Sequence, residues 1–383
     1  MYMTAVYLDC NATTPLDPEV REVLLYFLTD EFGNEGSRTH EYGVRAKRAV
    51  QKARDQVAAV VAAKREEVIF TSGATESNNL AIIGLRTAGI EQNRRHIITT
   101  AIEHKAVLEP CEALEREGFT VTRLSVGASG AVSPEDVNSA LRPDTLLVSV
   151  MHVNNETGVR QPLAAIADVL KDHPAYFHTD AAQGFGKDLE MLRNQRIDLI
   201  SISGHKIFAP KGIGALVMRR RGYALPPLRP LMHGGGQERG LRPGTLPVAM
   251  IAALGIAAEI AVRDNDKRKL ACKAIRDKVL NALLPLEPQL TGDQTLVMNH
   301  VLNLSFPGMD SEALIVALKD LVAVSNGSAC TSSNFTPSHV LKAMGMTDDA
   351  ANACVRISWC HMTQEVDWQV VAERIRRVTM RWE

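Results

Sequence analysis

The sequence predicts an α/β fold with a largely parallel sheet. Three observations carry that expectation. Short runs rich in β-branched residues recur along the first part of the chain. Segments of helical periodicity separate them. Polar clusters follow directly after most of the runs, as in parallel sheets that bind ligands beyond the carboxyl ends of their strands. The strand-like runs are Val68–Thr71, His96–Thr99, Thr145–Val150, Tyr176–Thr179, Leu199–Ser203 and Ile213–Met218. Between them, Ser133-Pro134 and Gln161-Pro162 suit first helical turns.

After Met218 the pattern changes. Gly222 to Pro247 holds six Gly and five Pro in 26 residues and reads as an irregular connection, or a site loop. Val248 to Leu284 reads as one long helix or two, closed by Pro285. A strand-like run (Val301–Phe306), a helix (Asp310–Leu321) and a loop (Ser325–Asn334) come next. A helix after Pro337 ending near Gly345, a strand (Cys354–Trp359) and a last helix complete the chain. A second domain is therefore expected from about residue 260.

Composition narrows the function classes. The 383 residues are 45% hydrophobic and 23% charged, which is ordinary for a folded globular chain. Acidic and basic residues nearly cancel, 44 against 43, which excludes a globally basic nucleic-acid coat. Six cysteines with no CxxC pair support neither a disulfide scaffold nor a structural zinc site. The pair Cys360-His361 has no partners at metal-ligand spacing. Met1 to Pro15 lacks the basic and long apolar segments of a signal peptide. The longest apolar stretch, Val248 to Ala258, falls well short of the ~20 residues of a membrane span. A cytoplasmic protein with reduced thiols, no membrane association and no direct nucleic-acid contact is expected.

The polar clusters carry the chemistry. Thr71-Ser-Gly-Ala-Thr-Glu-Ser77 follows one run, and Glu103-His104 another. Asn154-Asn155-Glu156, Asp180 with Gln183, and Ser203-Gly-His-Lys206 follow three more. The first places small residues and hydroxyls just before a helix, where free N–H groups and the helix dipole favour a phosphate. An ordinary Gly-containing turn with a Ser/Thr cap reads the same way. Asp180 can be a helix cap or the partner of a cationic ring nitrogen. His104 can be a satisfied surface histidine, or can stack on a ring and move protons. Most lysines are solvated, but Lys206 follows an apolar strand and precedes Gly-rich chain. A lysine in such a site can form a Schiff base. A lysine, phosphate donors and an acidic group aimed at one ring match the demands of pyridoxal phosphate (PLP).

One thiol stands apart. Cys330 lies in Ser325-Asn-Gly-Ser-Ala-Cys-Thr-Ser-Ser-Asn334, small and polar, which reads as an exposed, mobile loop suited to a nucleophile. Cys10, Cys111, Cys272, Cys354 and Cys360 lie in or beside regular-element patterns and read as packing.

Taken in order, these segments resemble the cysteine desulfurases of the NifS/IscS type, class-V aminotransferase-like PLP enzymes. The resemblance rests on Leu8-Asp-Cys-Asn-Ala-Thr-Thr-Pro15, Phe32-Gly-Asn34, Thr71 to Ser77, Glu103-His-Lys-Ala-Val107 and Met151 to Glu156. Ser203 to Lys206, Gly234-Gly-Gly-Gln-Glu-Arg239 and Gly327-Ser-Ala-Cys-Thr331 continue it. The stretch around Cys330 resembles the NifS/IscS branch rather than the short-loop SufS branch. His40-Glu-Tyr-Gly43, Gly236 to Thr245 and Phe335-Thr-Pro-Ser-His339 look like DndA, a desulfurase that feeds sulfur to DNA phosphorothioate modification. The chain departs from the family at Arg356-Ile-Ser-Trp-Cys-His361, where Arg-Phe-Ser-Leu-Gly-Arg is frequent. IscS proteins also continue past the position of Glu383 into a tail that helps dock the iron–sulfur scaffold.

The resemblance implies the aspartate-aminotransferase-like, type I PLP fold. A large domain (residues 15–259) holds a mostly parallel seven-stranded sheet. A smaller α+β domain (1–14 and 260–383) carries the cysteine loop. Homodimers are implied. Lys206 would carry PLP. Ala74, Thr75, Ser203 and His205 would hold its phosphate, with Thr245 reaching the phosphate of the other subunit. Asp180 would pair with the pyridine nitrogen, Gln183 and Asn155 would reach the ring oxygen side, and His104 would stack on the ring. Arg356, with Asn34 and Asn155 nearby, would bind the substrate carboxylate. The implied reaction takes sulfur from L-cysteine, leaves L-alanine, and places a persulfide on Cys330 for an acceptor protein in DNA modification or iron–sulfur assembly. Lys206 and His104 would move the protons. Selenocysteine cleavage or transamination are alternatives on the same fold, though a plain aminotransferase needs no thiol. A non-catalytic sulfur-relay scaffold, or DNA binding through Arg219-Arg-Arg221 and Arg374-Ile-Arg-Arg377, are alternatives of other classes.

Overall fold

A two-residue strand β1 (Val6–Tyr7) leads into helices α1 (Pro18–Thr29) and α2 (Glu41–Val60). The computed structural model describes residues 5–306, 308–326 and 337–379. Strand β2 (Val68–Thr71), helices α3 (Ala74–Ile83) and α4 (Arg86–Glu91), strand β3 (His96–Thr100), helix α5 (Lys105–Glu115) and strand β4 (Thr120–Leu124) follow. Strands β5 (Thr145–Ser149), β6 (Tyr176–Asp180), β7 (Leu199–Ser203) and β8 (Gly214–Met218) complete a seven-stranded sheet of order β2-β8-β7-β6-β5-β3-β4. Only β8 runs antiparallel to its neighbours β2 and β7. The other six strands point one way, so their carboxyl ends share one edge.

Alternation along the strands explains why this sheet is buried on both faces. Val68, Phe70, Ile98, Val148, Ile200 and Val217 join one core cluster with the helix Val248–Arg263 and α2. Ile69, Ile97, Leu147, Leu199 and Leu216 join another with α3 and α5. Each fully buried Ile or Leu contributes about 1.5–3 kcal/mol relative to an exposed one.

The chain then leaves the sheet. Residues 222–247 contain one 3-10 turn, Glu238–Gly240, as their Gly/Pro content suggests. The apolar segment is two helices, Val248–Arg263 and Asn265–Leu283, separated at Asp264. Strands β9 (Gln289–Leu290) and β10 (Val301–Ser305) come next, then a two-residue strand β11 (Val322–Ala323) that pairs in parallel with β1. Strand β12 (Cys354–Ser358) completes an antiparallel sheet of order β12-β10-β9. Leu8, Val279, Leu304, Val355, Trp359 and Val371 belong to a separate core there. Val340, Leu341 and Met344, however, pack into the core of the large sheet.

Several arginines of the basic runs are engaged within the fold. Arg219 is 2% exposed, and its guanidinium donates to the carbonyls of Asn194, Ile197, Leu192 and Val61. Arg221 forks onto Asp198, both contacts at 2.6 Å. Arg374 pairs with Asp320 at 3.0 Å. Among the described residues, no helix is long and apolar enough to cross a membrane.

Candidate active site

The polar clusters that the sequence places after its strands meet along the shared edge of carboxyl ends. Lys206 closes the 3-10 turn Gly204–Lys206 immediately after β7. Its Nζ donates to the carbonyls of Asn11 and Ala12, the latter at 2.7 Å. The Asn11 carbonyl also accepts from Gln183 Nε2 at 2.9 Å. The Asn11 side chain donates from Nδ2 to the Asn155 carbonyl at 3.1 Å, and that carbonyl accepts from Arg356 Nη1 at 3.0 Å. Asn11 thus ties together Lys206, Gln183, Asn155 and Arg356.

Asp180 ends β6 and is 5% exposed. Its Oδ1 accepts from the Ala182 N–H at 2.9 Å and its Oδ2 from Asn78 Nδ2 at 2.7 Å. Those donors fix the plane of the carboxylate. His104 caps α5, its Nδ1 accepting from the Ala106 N–H at 3.1 Å. Because Nδ1 accepts, the proton of the neutral ring is on Nε2. Burial holds the His104 pKa below the ordinary histidine value; Asp180 opposes the shift and Lys206 adds to it. Both charges thus act on the His104 ring.

The turn before α3 meets the demands of an anion. Gly73 caps the helix without a side-chain hydrogen bond, so the first N–H groups keep their donor capacity. Ala74 is half-buried and Thr75 exposed. Ser203 lies close by: a Cβ on Gly73 would stand 3.9 Å from Ser203 Oγ. Gly214 opens β8 beneath this turn, and a Cβ there would fall 2.5 Å from Gly73 Cα. Only glycine permits that approach. His205 Nδ1 meets Thr13 Oγ1 at 3.1 Å, and burial, aided by Lys206, lowers its pKa to about 4. It is neutral at physiological pH.

Arg356 lies in β12 and is 4% exposed. Its Nη2 pairs with Asp9 Oδ1 at 2.5 Å. Its Nε, the Asn11 Oδ1 and the Gln183 Oε1 are buried without hydrogen-bond partners in the described structure. Unpaired buried polar atoms are costly, and their concentration around Lys206 marks a place prepared for a polar ligand. An uncapped helix start, a fixed carboxylate and a lysine beside those atoms fit PLP.

Asn34 and Thr245 are exposed, and no hydrogen bond or ion pair among the described residues joins either to the other site residues. The connection that carries Thr245 reaches the turn before α3 through Arg242, whose Nε is 3.1 Å from Glu76 Oε1. Cys330 lies outside the described residues. The two ends of its segment do not. Ser325 and Arg356 exchange backbone hydrogen bonds, and Ser338 Oγ donates to Glu156 Oε2 at 2.5 Å. His339 Nε2 meets the Glu103 carbonyl, next to His104, at 2.9 Å. The described residues on either side of it thus contact Arg356, through Ser325, and the Glu103 carbonyl next to His104, through His339.

A family model described as Aminotransferase class-V matches residues 6–371. The chain belongs to the class-V aminotransferase family. Within this family it is similar to the mitochondrial cysteine desulfurase of Drosophila melanogaster, 46% identical over 99% of this chain and 83% of the relative. Among solved structures, DndA from Streptomyces lividans is 52% identical with a TM-score of 0.82, covering 94% of this chain and 99% of that one. SspA in complex with cysteine is 37% identical with a TM-score of 0.81, covering 94% and 100%. The α/β architecture and its mostly parallel seven-stranded sheet are those of this class-V aminotransferase family.

Three residues of this class-V site carry no role in the sequence reading. Asn11 lies inside the Leu8–Pro15 motif, but its role as a hub comes from main-chain contacts that no local pattern shows. Asn78 sits in α3 facing the sheet; a buried amide one turn after a phosphate-type turn is a signal that could have found it. Glu103 is fully buried, and its Oε1 accepts from Thr100 Oγ1 and the Met151 N–H, both at 2.8 Å. Burial pushes its pKa up to about 8, so it is a neutral acid at pH 7.

Proposed function

We propose that this chain is a PLP-dependent cysteine desulfurase that takes the sulfur of free L-cysteine, releases L-alanine and holds the sulfur as a persulfide on Cys330. One observation supports this most strongly: of the described residues flanking the Cys330 segment, Ser325 pairs with Arg356 and His339 meets the Glu103 carbonyl next to His104. The family likenesses to cysteine desulfurases and to the cysteine complex of SspA support the same reaction.

When bound, PLP supplies an electron sink that acidifies the substrate Cα–H and accepts the electron pair released as the C–S bond breaks. Lys206 is the residue proposed to hold it, with the Asn11 and Ala12 carbonyls keeping Nζ in place. Ala74, Thr75, Ser203 and His205 hold the phosphate, Asp180 the ring nitrogen, and Gln183 and Asn155 the ring oxygen side. Asn78 keeps Asp180 aligned. His104 stacks on the ring. His104 would take up the thiol proton and then, as the imidazolium, give a proton from Nε2 to the departing amino acid. Lys206 Nζ takes the Cα proton. The substrate carboxylate competes with Asp9 for Arg356, and Asn34 and Asn155 complete that contact. The Cys330 thiolate forms an S–S bond as the substrate C–S bond breaks.

The proposed domains are residues 15–259, and 1–14 with 260–383; two separate cores support the division. Exposed Leu25, Tyr26, Leu28, Phe32 and Tyr42 on and near α1 support a homodimer, through which Thr245 serves the partner's phosphate. The acceptor is proposed to be a protein of DNA phosphorothioation, because the likeness to DndA at 52% exceeds that to the mitochondrial relative. The expected location is the cytoplasm.

Purified protein supplied with PLP should turn yellow, and L-cysteine with a reductant should give sulfide and alanine in equal amounts. A colourless protein that yields neither product contradicts the proposal.

A further inference from the structure

Residues Cys10 to Thr14 border a second space that Lys206 does not line. It is a cavity of about 380 Å³ walled by Cys10, Lys187, Cys272, His300, Cys360 and His361, among others. Cys10 and Cys360 also line a neighbouring cavity of about 430 Å³. Both thiols are therefore reached from two sides, although Cys10 is 2% and Cys360 4% exposed.

The fold brings these two residues together across 350 positions of sequence. The Cys10 N–H donates to the Ser358 carbonyl at 3.0 Å, and Asp9 and Ser358 form a parallel bridge. The two side chains pack together and, with Phe208, form their own small cluster. Hydrogen bonds from Cys10, the Met362 N–H and the Thr363 hydroxyl hold the Cys360 thiol below its ordinary pKa against burial, with Lys187 assisting. The Cys360 thiol and burial push the Cys10 thiol the other way, above its ordinary value. Burial pushes the nearby Cys272 thiol up to about 12. Of the three, Cys360 alone is held below its ordinary value, and a second thiol packs against it. Nothing in the proposed sulfur transfer uses this pair.

We propose that Cys10 and Cys360 are a redox pair that hydrogen peroxide converts to a disulfide and a dithiol reductant returns to thiols. The Cys360 thiolate attacks the peroxide: an S–O bond forms, the O–O bond breaks, and the leaving hydroxide is protonated to water. The Cys10 sulfur then displaces the hydroxyl: the S–S bond forms, the S–O bond breaks, and the Cys10 proton leaves in a second water. The two thiols lose two electrons and the peroxide gains them. The link draws Cys10 towards the end of β12. Asn11 and Ala12, whose carbonyls hold Lys206 Nζ, follow it. Oxidation therefore disturbs the lysine site from outside.

The test uses PLP-loaded protein carrying Cys330→Ala, so that peroxide cannot act at the sulfur carrier. After hydrogen peroxide, remaining thiols are alkylated under denaturing conditions and the non-reduced digest is read by mass spectrometry. A peptide pair joining Cys10 to Cys360, two hydrogens lighter than its parts, is expected. It should vanish with dithiothreitol and not form in Cys10→Ser. The absorption of the bound cofactor should shift on oxidation in the parent and not in Cys10→Ser. Free, alkylated Cys10 and Cys360 after peroxide overturn the proposal. So does Cys360 joined to Cys272, or Cys360 oxidised to sulfinic acid beside a free Cys10. A Cys10–Cys360 link that leaves the cofactor spectrum unchanged overturns the coupling to Lys206.

Discussion

Two lysines flank the Cys10–Thr14 segment, and they differ in what faces them. Lys206 Nζ donates to two main-chain carbonyls and shares its space with Asp180 and His104. Lys187 Nζ meets His300 Nε2 at 3.4 Å, and its titratable neighbours are the thiols Cys10, Cys272 and Cys360. Burial lowers the Lys187 pKa to about 8, and no carboxylate contributes to holding its charge. Burial alone therefore does not make a lysine an anchor for a carbonyl cofactor. The anchor needs a strand end that fixes Nζ, an acid for the ring and donors for the phosphate. Lys187 has none of these and can only stabilise a thiolate.

Substitutions can break or sharpen that contrast. The largest difference is expected between Lys206→Ala and Lys187→Met. The first should lower sulfide production by roughly 10³-fold or more and abolish the cofactor absorption. The second should stay within about 3-fold of the parent rate and slow peroxide oxidation of Cys360. Equal losses in both would erase the distinction. His104→Gln should reduce the rate about 10²-fold. In the parent, the acid limb of the rate profile assigned to His104 should lie below the ordinary histidine range, because burial depresses its pKa. An acid limb at or above that range would show a histidine that is charged in the resting site.

Asn78→Ala removes the donor to Asp180 Oδ2, a loss of about 1–2 kcal/mol. Equilibrium dialysis should show PLP held about 5–30-fold less tightly, with a smaller change in rate. Glu103 gives the smallest effect on activity but a clear one on stability. Its folded pKa, about 8, lies above the unfolded carboxyl value, so the native state binds the extra proton between them. Its contribution is complete below the unfolded pKa and is lost as pH rises through about 8. The neutral isostere Glu103→Gln should flatten the fall in Tm over that window, by on the order of 1–4 kcal/mol at the alkaline end. An unchanged slope would mean that Glu103 is ionised in the folded protein.

Much of the site can be read from sequence because each element supplies its polar group at its own strand end. Thr71–Ser77, Glu103-His104, Asn154–Glu156, Asp180 and Ser203–Lys206 all lie at the carboxyl edge of the sheet. Strand β4, Thr120–Leu124, cannot be read this way. It is an edge strand whose Thr120 and Arg123 face solvent, so no apolar run marks it. Strands β1, β9 and β11 have two residues each, too few for any period. Cys10 and Cys360 pack as the sequence leads one to expect. Both are buried, but their contact depends on a bridge between the start of the chain and β12, which spacing along the sequence cannot show. The same holds for the Arg356–Asp9 pair.

The central claim is that sulfur leaves L-cysteine through Lys206 and is collected by Cys330. The most direct measurement is a single-turnover reaction of the PLP-loaded protein with L-cysteine and no reductant, followed by intact-mass analysis and alanine quantification. One alanine per site and a mass gain of one sulfur, mapped to Cys330 and absent in Cys330→Ala, is the predicted result. Alanine formed in full by Cys330→Ala, or a persulfide mapped to another cysteine, would contradict it.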